Sequence, residues 1–320
     1  MNSLRRLLTI EWSGLAAAIL LGAIVLTILS PNFLTAFNFY VLLRSACVGL
    51  LVALAQMMCL GVGQMNLAVG ASGGLVAVLF GGMLEVLEFP IALAVPAALA
   101  IGVIGGLING LLIVRTGING FIITLATASA FTGINFGMTK AVPFYKMPAG
   151  LVAFGDQHLG PFPYLLAAPV AIALLLALFL FRMVPGRRLL AVGGNSHAAA
   201  LSGISPSGMV VLAHAISGGL AAGAAILAVA QLGSAQPLIG GDWLLMSFAA
   251  PIIGGTALAG GSVSIVGTGL AVLVIALIQN GMVLAKVDPY WVQFLLGALI
   301  LAAVGLNRWR AVRARVGWKP

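Results

Sequence analysis

Groups able to do covalent or proton chemistry are few in this chain and poorly placed for it. Its 320 residues include three histidines, two cysteines and six carboxylates. His158 and His197 fall in polar stretches, and His214 stands near one end of an apolar run. Cys47 and Cys59 share an apolar stretch, which argues against a disulfide framework or a thiolate metal site. A metal centre needs clustered His, Cys and carboxylate ligands, and the sequence offers no such cluster. Ser72 with His214 is the pairing an intramembrane serine hydrolase would use. Neither residue sits in a nucleophile setting, however, and a triad is defined by geometry rather than composition. None of the four lysines completes a G-x-x-x-x-G-K-[ST] phosphate loop, so any ATP must be hydrolysed by another subunit. The sequence therefore predicts no enzyme, no catalytic residues, no metal and no cofactor.

The polar groups that remain are neutral. Gln56, Gln64, Asn66, Asn109, Thr124, Thr127, Asn135, Gln279 and Asn280 interrupt apolar runs. Uncharged donors and acceptors suit a neutral polyhydroxylated cargo, which they hold without strong electrostatic trapping. The competing reading is interhelical bonding, worth about 0.6 kcal/mol for each contact. All six carboxylates lie at the ends of apolar runs or between them, which counts against a proton- or sodium-coupled carrier that buries its ionisable groups. A second feature is the island Arg187–Ile204, polar, basic and rich in small residues. Pro185-Gly186 ends the helix before it, Gly193-Gly194-Asn195 forms a turn, and Asn195 caps a short helix that starts at Ser196 and presents Ala198, Ala199 and Ala200 before Gly203.

The elements that must position these groups follow from composition. Hydrophobic residues make up 62% of the chain, charged residues 7%, and the mean hydropathy is +1.19. A soluble domain carries about 25% charged residues, so the chain is a polytopic membrane protein. Runs such as Leu165–Phe181 are apolar on every face, which selects helices over a barrel of alternating residues. With roughly 20 residues for each crossing, about ten transmembrane helices fit, near 14–29, 40–60, 67–84, 91–114, 121–138, 164–183, 209–230, 243–258, 265–284 and 290–306. Glycines break the chain at 61–66, and 140–163 is a polar, proline-containing outer loop. The basic residues Arg5, Arg6, Arg115, Arg187, Arg188 and the tail 307–320 share one side, as cytoplasmic segments do. That puts both termini inside and the acids Glu85, Glu88, Asp156, Asp242 and Asp288 outside. The net charge of +9 therefore reflects topology and the bilayer rather than nucleic acid. The basic start is read as a retained first helix, because no small-x-small cleavage site follows Ser30-Pro31. Asn109-Gly110 and Asn280-Gly281, late in two oppositely directed spans, echo an inverted repeat. The whole of 1–320 reads as one membrane domain, with a coupling loop at about 185–208.

Several stretches resemble, in order, the inner-membrane permease subunits of bacterial ABC sugar importers of the ribose/xylose/arabinose type. Gly193-Gly194-Asn195-Ser196-His197-Ala198-Ala199-Ala200-Leu201-Ser202-Gly203-Ile204 is similar to that family's G-G-N-x-x-A-A-x-x-S-G-I loop. Leu232–Pro237, Ile253–Gly261, Gly106–Ile113 and Phe121–Thr127 match four further segments. The chain departs at three positions where the family has an acid, now Asn66, Leu244 and His197. The resemblance implies a cytoplasmic ABC ATPase partner, a periplasmic solute-binding protein and a second permease copy, in the bacterial inner membrane. It implies that Gly193, Gly194, Asn195, His197, Ala198, Ala199, Ser202 and Gly203 meet the ATPase. Gln64, Asn66, Asn109, Phe121, Thr124, Gln279 and Asn280 are expected along the path of a small neutral solute, a monosaccharide. Branched-chain amino acids or nucleosides are the alternative cargoes, and a stand-alone carrier or channel is the alternative class.

Overall fold

The computed structural model describes residues 12–288 and eight further positions (291, 293–295, 297, 298, 301 and 305). Arg5, Arg6, the tail 307–320 and much of the expected span 290–306 lie outside the described residues. The described chain is all-α apart from one small hairpin. Its helices are α1 (Ser13–Leu29), α2 (Ala36–Gly61), α3 (Val69–Glu85), α4 (Ile91–Thr116), α5 (Gly120–Thr139), α6 (Ala149–Asp156), α7 (Ala167–Arg182), α8 (Val184–Gly194), α9 (Ser196–Leu201), α10 (Pro206–Leu232), α11 (Trp243–Ile253) and α12 (Ile265–Leu284). The hairpin pairs β1 (His158–Leu159) antiparallel with β2 (Phe162–Pro163). Six of these helices, α7 being taken with the turn before it, are long and apolar enough to cross a membrane. The protein is an all-α polytopic membrane protein.

Local chemistry sets the helix ends. The side chains of Thr35, Asn119, Asn195, Ser205 and Ser264 each accept a hydrogen bond from a first-turn backbone N–H, satisfying donors that a helix start otherwise leaves open. Gly117 and Gly233 take left-handed conformations, with φ of 68° and 62°, and stop α4 and α10. Helix α10 is the axis of the bundle, with α2, α3 and α4 packed around it. Its contact with α4 is backbone on backbone: a Cβ on Gly106 would collide with the His214 carbonyl, and one on Gly218 with the Gly102 carbonyl. Without a hydrophobic drive between helices in lipid, such close approach is what holds them together.

Four expectations change. The expected span at 243–258 contains only the 11 residues of α11, about 16 Å of helix, because Pro251 and Gly254-Gly255 end it and 254–264 continue without helix. Pro185 does not end a helix; it occupies the first turn of α8, where its missing N–H costs nothing. Gly193 and Gly194 close α8 as its last residues rather than forming a turn, and the break falls at Asn195. The polar stretch 140–163 holds α6 and the hairpin. Gly155 seats α6 against the Ala230 carbonyl of α10.

Candidate functional site

Two breaks in helix, residues 62–68 after α2 and 254–264 before α12, meet at the end of the bundle that carries Arg115, Arg187 and Arg188 (the basic end). The Gly261 N–H donates to the Gly61 carbonyl at 3.1 Å. Gly63, Gly260 and Gly261 have φ of 77°, 92° and 85°, a region open mainly to glycine. Membranes tolerate irregular backbone only where protein or a cavity covers it, and here side chains supply the missing partners. Asn66 is buried; its Nδ2 donates to Ser217 Oγ at 3.0 Å, and its Oδ1 accepts from the Ala68 N–H at 3.0 Å. The Leu67 N–H donates to Thr124 Oγ1 at 3.0 Å, and that hydroxyl donates to the Gly120 carbonyl at 2.7 Å. Gln56, with its amide oriented to suit both neighbours, donates to the Asn66 carbonyl at 2.8 Å and accepts from the Asn66 N–H at 3.2 Å.

Four of the seven expected path residues thus converge. Gln64 and the 45%-exposed Phe121 line a cavity of ≈ 500 Å³ at the basic end, and Asn66 and Thr124 form the bonded wall behind it. Asn109 is buried on α4 with its Oδ1 unpartnered, beside the α4–α10 contact. Gln279 and Asn280 are not part of this group. Asn280 exchanges two side-chain hydrogen bonds with Asn38 of α2, at 3.0 and 2.7 Å, and Gln279 is half-buried beside it. Asn280 binds α12 to the start of α2 instead.

In the island, Asn195 Oδ1 accepts from the Ala198 N–H at 2.9 Å and starts α9. His197, Ala198, Ala200, Ser202 and Gly203 are exposed, and Leu201 is 80% exposed. Ala199 is not presented outward: it is 5% exposed, because the helical turn points it back at the bundle. Gly193 is held tightly; a Cβ there would collide with the Gly61 carbonyl and stand 2.5 Å from the Gly261 nitrogen. Leu189 and Val192 of α8 are buried alongside. The island is therefore anchored by α8 and exposed at α9.

Sequence reasoning passed over Arg44, one arginine inside the apolar α2. Its guanidinium pairs with Asp156 Oδ1 at 2.9 Å and donates to the Gln231 carbonyl at 2.6 Å, while the Gln231 amide donates back to the Arg44 carbonyl. Tyr40 lies under the guanidinium at 5.7 Å and against the His158 ring at 4.6 Å. The cluster ties α2, α10 and the segment 149–163 together at the end opposite the island. A lone arginine in an apolar helix was the available signal. His214 and Ser72 do not pair: His214 Nδ1 lies 3.2 Å from Cys59 Sγ, and the Ser72 hydroxyl donates to the Val69 carbonyl. No group of three metal-ligating side chains occurs among the described residues.

A protein-family model described as branched-chain amino acid transport system / permease component matches residues 37–304. The chain is 36% identical over 291 residues to the ribose import permease protein of Bacillus subtilis (strain 168), covering 89% of each chain. It is 33% identical over 301 residues to the autoinducer 2 import system permease protein of Photorhabdus laumondii, covering 91% of this chain and 89% of that one. To the D-allose transport system permease protein of Escherichia coli (strain K12) it is 32% identical over 281 residues, covering 88% and 86%. No solved structure matches.

Proposed function

We infer the function from a chain that belongs to the branched-chain amino acid transport system / permease component family. It is the multi-pass inner-membrane permease subunit of an ABC importer, a transport component rather than an enzyme, and it moves a monosaccharide or a closely related neutral solute. The observation that carries this reading is the likeness, over about nine-tenths of both chains, to a ribose import permease. The geometry agrees with it: the ≈ 500 Å³ cavity is lined by neutral groups, with no charge to meet the ammonium and carboxylate of an amino acid. That favours sugar over the branched-chain amino acids of the family's description.

In this reading the basic end is cytoplasmic, both termini are inside, and ten crossings make one domain over 1–320. On that count α4 and α12 run in opposite directions. Each carries a buried Asn followed by a Gly whose Cβ would press on a neighbour, Val211 for Gly110 and Leu26 for Gly281, each at 2.7 Å. This is the pattern an inverted repeat leaves. The segment 185–208 is the coupling loop, and Gly193, Gly194, Asn195, His197, Ala198, Ala199, Ser202 and Gly203 form or support its contact with a cytoplasmic ATPase. A periplasmic binding protein delivers cargo, and a second permease copy completes the path. Gln64 and Phe121 line the inner part of that path, Asn66, Thr124 and Asn109 support it from behind, and Gln279 and Asn280 act at its outer end. ATP alters transport only by interacting differently with inward- and outward-open states, and the exposed α9 is where a nucleotide-driven partner would touch.

The test is a mild-detergent pull-down of the tagged chain from its own host. A stoichiometric subunit bearing a phosphate loop, with uptake that stops on ATP depletion, is the expected result. A chain that purifies alone and whose uptake survives ATP depletion would make it a carrier or channel. Substitution of the path residues is a finer probe. Asn66→Leu removes the bonds to Ser217 and to the Ala68 N–H, and is expected to lower uptake at least fivefold while the ATPase still co-purifies. Asn109→Leu is expected to change transport kinetics by a smaller factor. Unchanged kinetics in both would reduce them to packing residues.

A further inference from the structure

A second cavity, of ≈ 330 Å³, lies between α3, α5 and the chain at 237–244. None of its lining residues is charged. Asn135 of α5 reaches into it and is 3% exposed. Its Nδ2 donates to the Pro237 carbonyl at 2.9 Å, which fixes the amide orientation, because a carbonyl only accepts. Its Oδ1 is left without a partner. A buried acceptor without a donor costs about 1–3 kcal/mol, and almost all such groups in folded proteins are bonded. Thr132 and Phe136, four residues apart on α5, line the cavity on either side of Asn135. The opposite wall is unusually close. Gly70 lets the Gly240 carbonyl pack directly on α3, and a Cβ on Gly74 would lie 2.5 Å from the Ile239 carbonyl. Leu244, 38% exposed, stands at the rim.

We propose that this cavity is a cargo-binding site, in which Asn135 Oδ1 accepts a hydrogen bond from a hydroxyl of a small neutral ligand. Thr132 supplies a second hydroxyl contact, and Phe136 offers a flat face to the C–H side of a sugar ring. The volume lies at the lower end of the roughly 300–1,000 Å³ usual for small-molecule sites, which suits one monosaccharide and excludes an oligosaccharide. The absence of charge on the lining excludes phosphorylated sugars and zwitterions. Leu244 makes the rim apolar, so the site takes a ligand edge without charge there. The choice of sugar as probe rests on the function proposed above; the existence of the site does not.

The experiment is thiol protection on the purified full chain carrying Leu244→Cys. Cys47 and Cys59 are buried, so the introduced rim thiol is the one a maleimide reaches. Ribose or allose at millimolar concentration is expected to slow its alkylation at least threefold, and leucine to leave it unchanged. Adding Asn135→Leu is expected to abolish that protection. Should Asn135→Leu fail to insert, Leu244→Trp plugs the rim from its exposed side and is expected to cut uptake at least tenfold with the partner ATPase still bound. No protection by either sugar, protection that survives Asn135→Leu, or normal uptake by Leu244→Trp would overturn the site. Protection without ATP-driven uptake would keep the site and overturn the importer reading; ATP-driven uptake without protection would do the reverse.

Discussion

Deleting Ser196–Gly203 is expected to leave the protein inserted and abolish uptake altogether. The segment comprises α9 and the glycine that ends it, and apart from Ala199 it is exposed. Ile204, the next residue, is half-buried, and the Ser205 cap of α10 lies outside the deletion. The packed bundle therefore loses almost nothing, while the surface offered to a partner disappears. A gentler version is Gly203→Arg. Gly203 has φ of 75° and open space around it, so the side chain fits; the left-handed backbone costs about 1–2 kcal/mol. Membrane fractionation, co-purification of a nucleotide-hydrolysing subunit and uptake would be measured together. Normal uptake by the deletion would remove the coupling role from this loop.

Gly193→Ala should cost uptake at least tenfold, whereas its neighbour Gly194→Ala should keep it within twofold. One methyl group distinguishes them. At Gly193 it collides with the Gly61 carbonyl and lies 2.5 Å from the Gly261 nitrogen, the two groups that bond to each other; at Gly194 the nearest atom is 3.9 Å away. Overpacking of this kind costs about 1–3 kcal/mol, and here it is spent on prising apart the junction of both helix breaks. Thermal unfolding of the purified chain should drop for Gly193→Ala and stay level for Gly194→Ala. Equal behaviour of the two variants would mean that α8 is not seated on Gly61.

What could be read from residues alone was local. A side-chain cap at Asn195 follows from residue type and spacing, and the structure has it. The apolar runs locate the long helices, and the glycines at 61–63 and 260–261 mark the breaks. Asn66 and Thr124 each carried a polar group in an apolar run, but their meeting through the Leu67 N–H joins residues 57 positions apart and leaves no local trace. Asn280 looked the same in sequence as Asn109, yet one is paired across 242 residues with Asn38 and the other has an unpartnered oxygen. Hydropathy reports that a residue lies in a span and not which neighbour it faces. The early end of α11 was written only in Pro251 and in Gly254-Gly255, since a hydropathy window that takes in the apolar residues before them runs on to Leu258.

The brevity of α11 has a bearing on how the chain is made. Eleven residues of helix reach only about 16 Å into a hydrocarbon layer roughly 30 Å thick, so this segment is no autonomous unit for insertion machinery that releases spans one by one. The stretch after it, 254–264, takes one of its backbone hydrogen bonds from Gly61, a residue synthesised some 200 positions earlier. Until α2 is in place, that N–H has no Gly61 carbonyl to donate to. The last third of the protein therefore reaches its final packing only once α2 is in place to receive it.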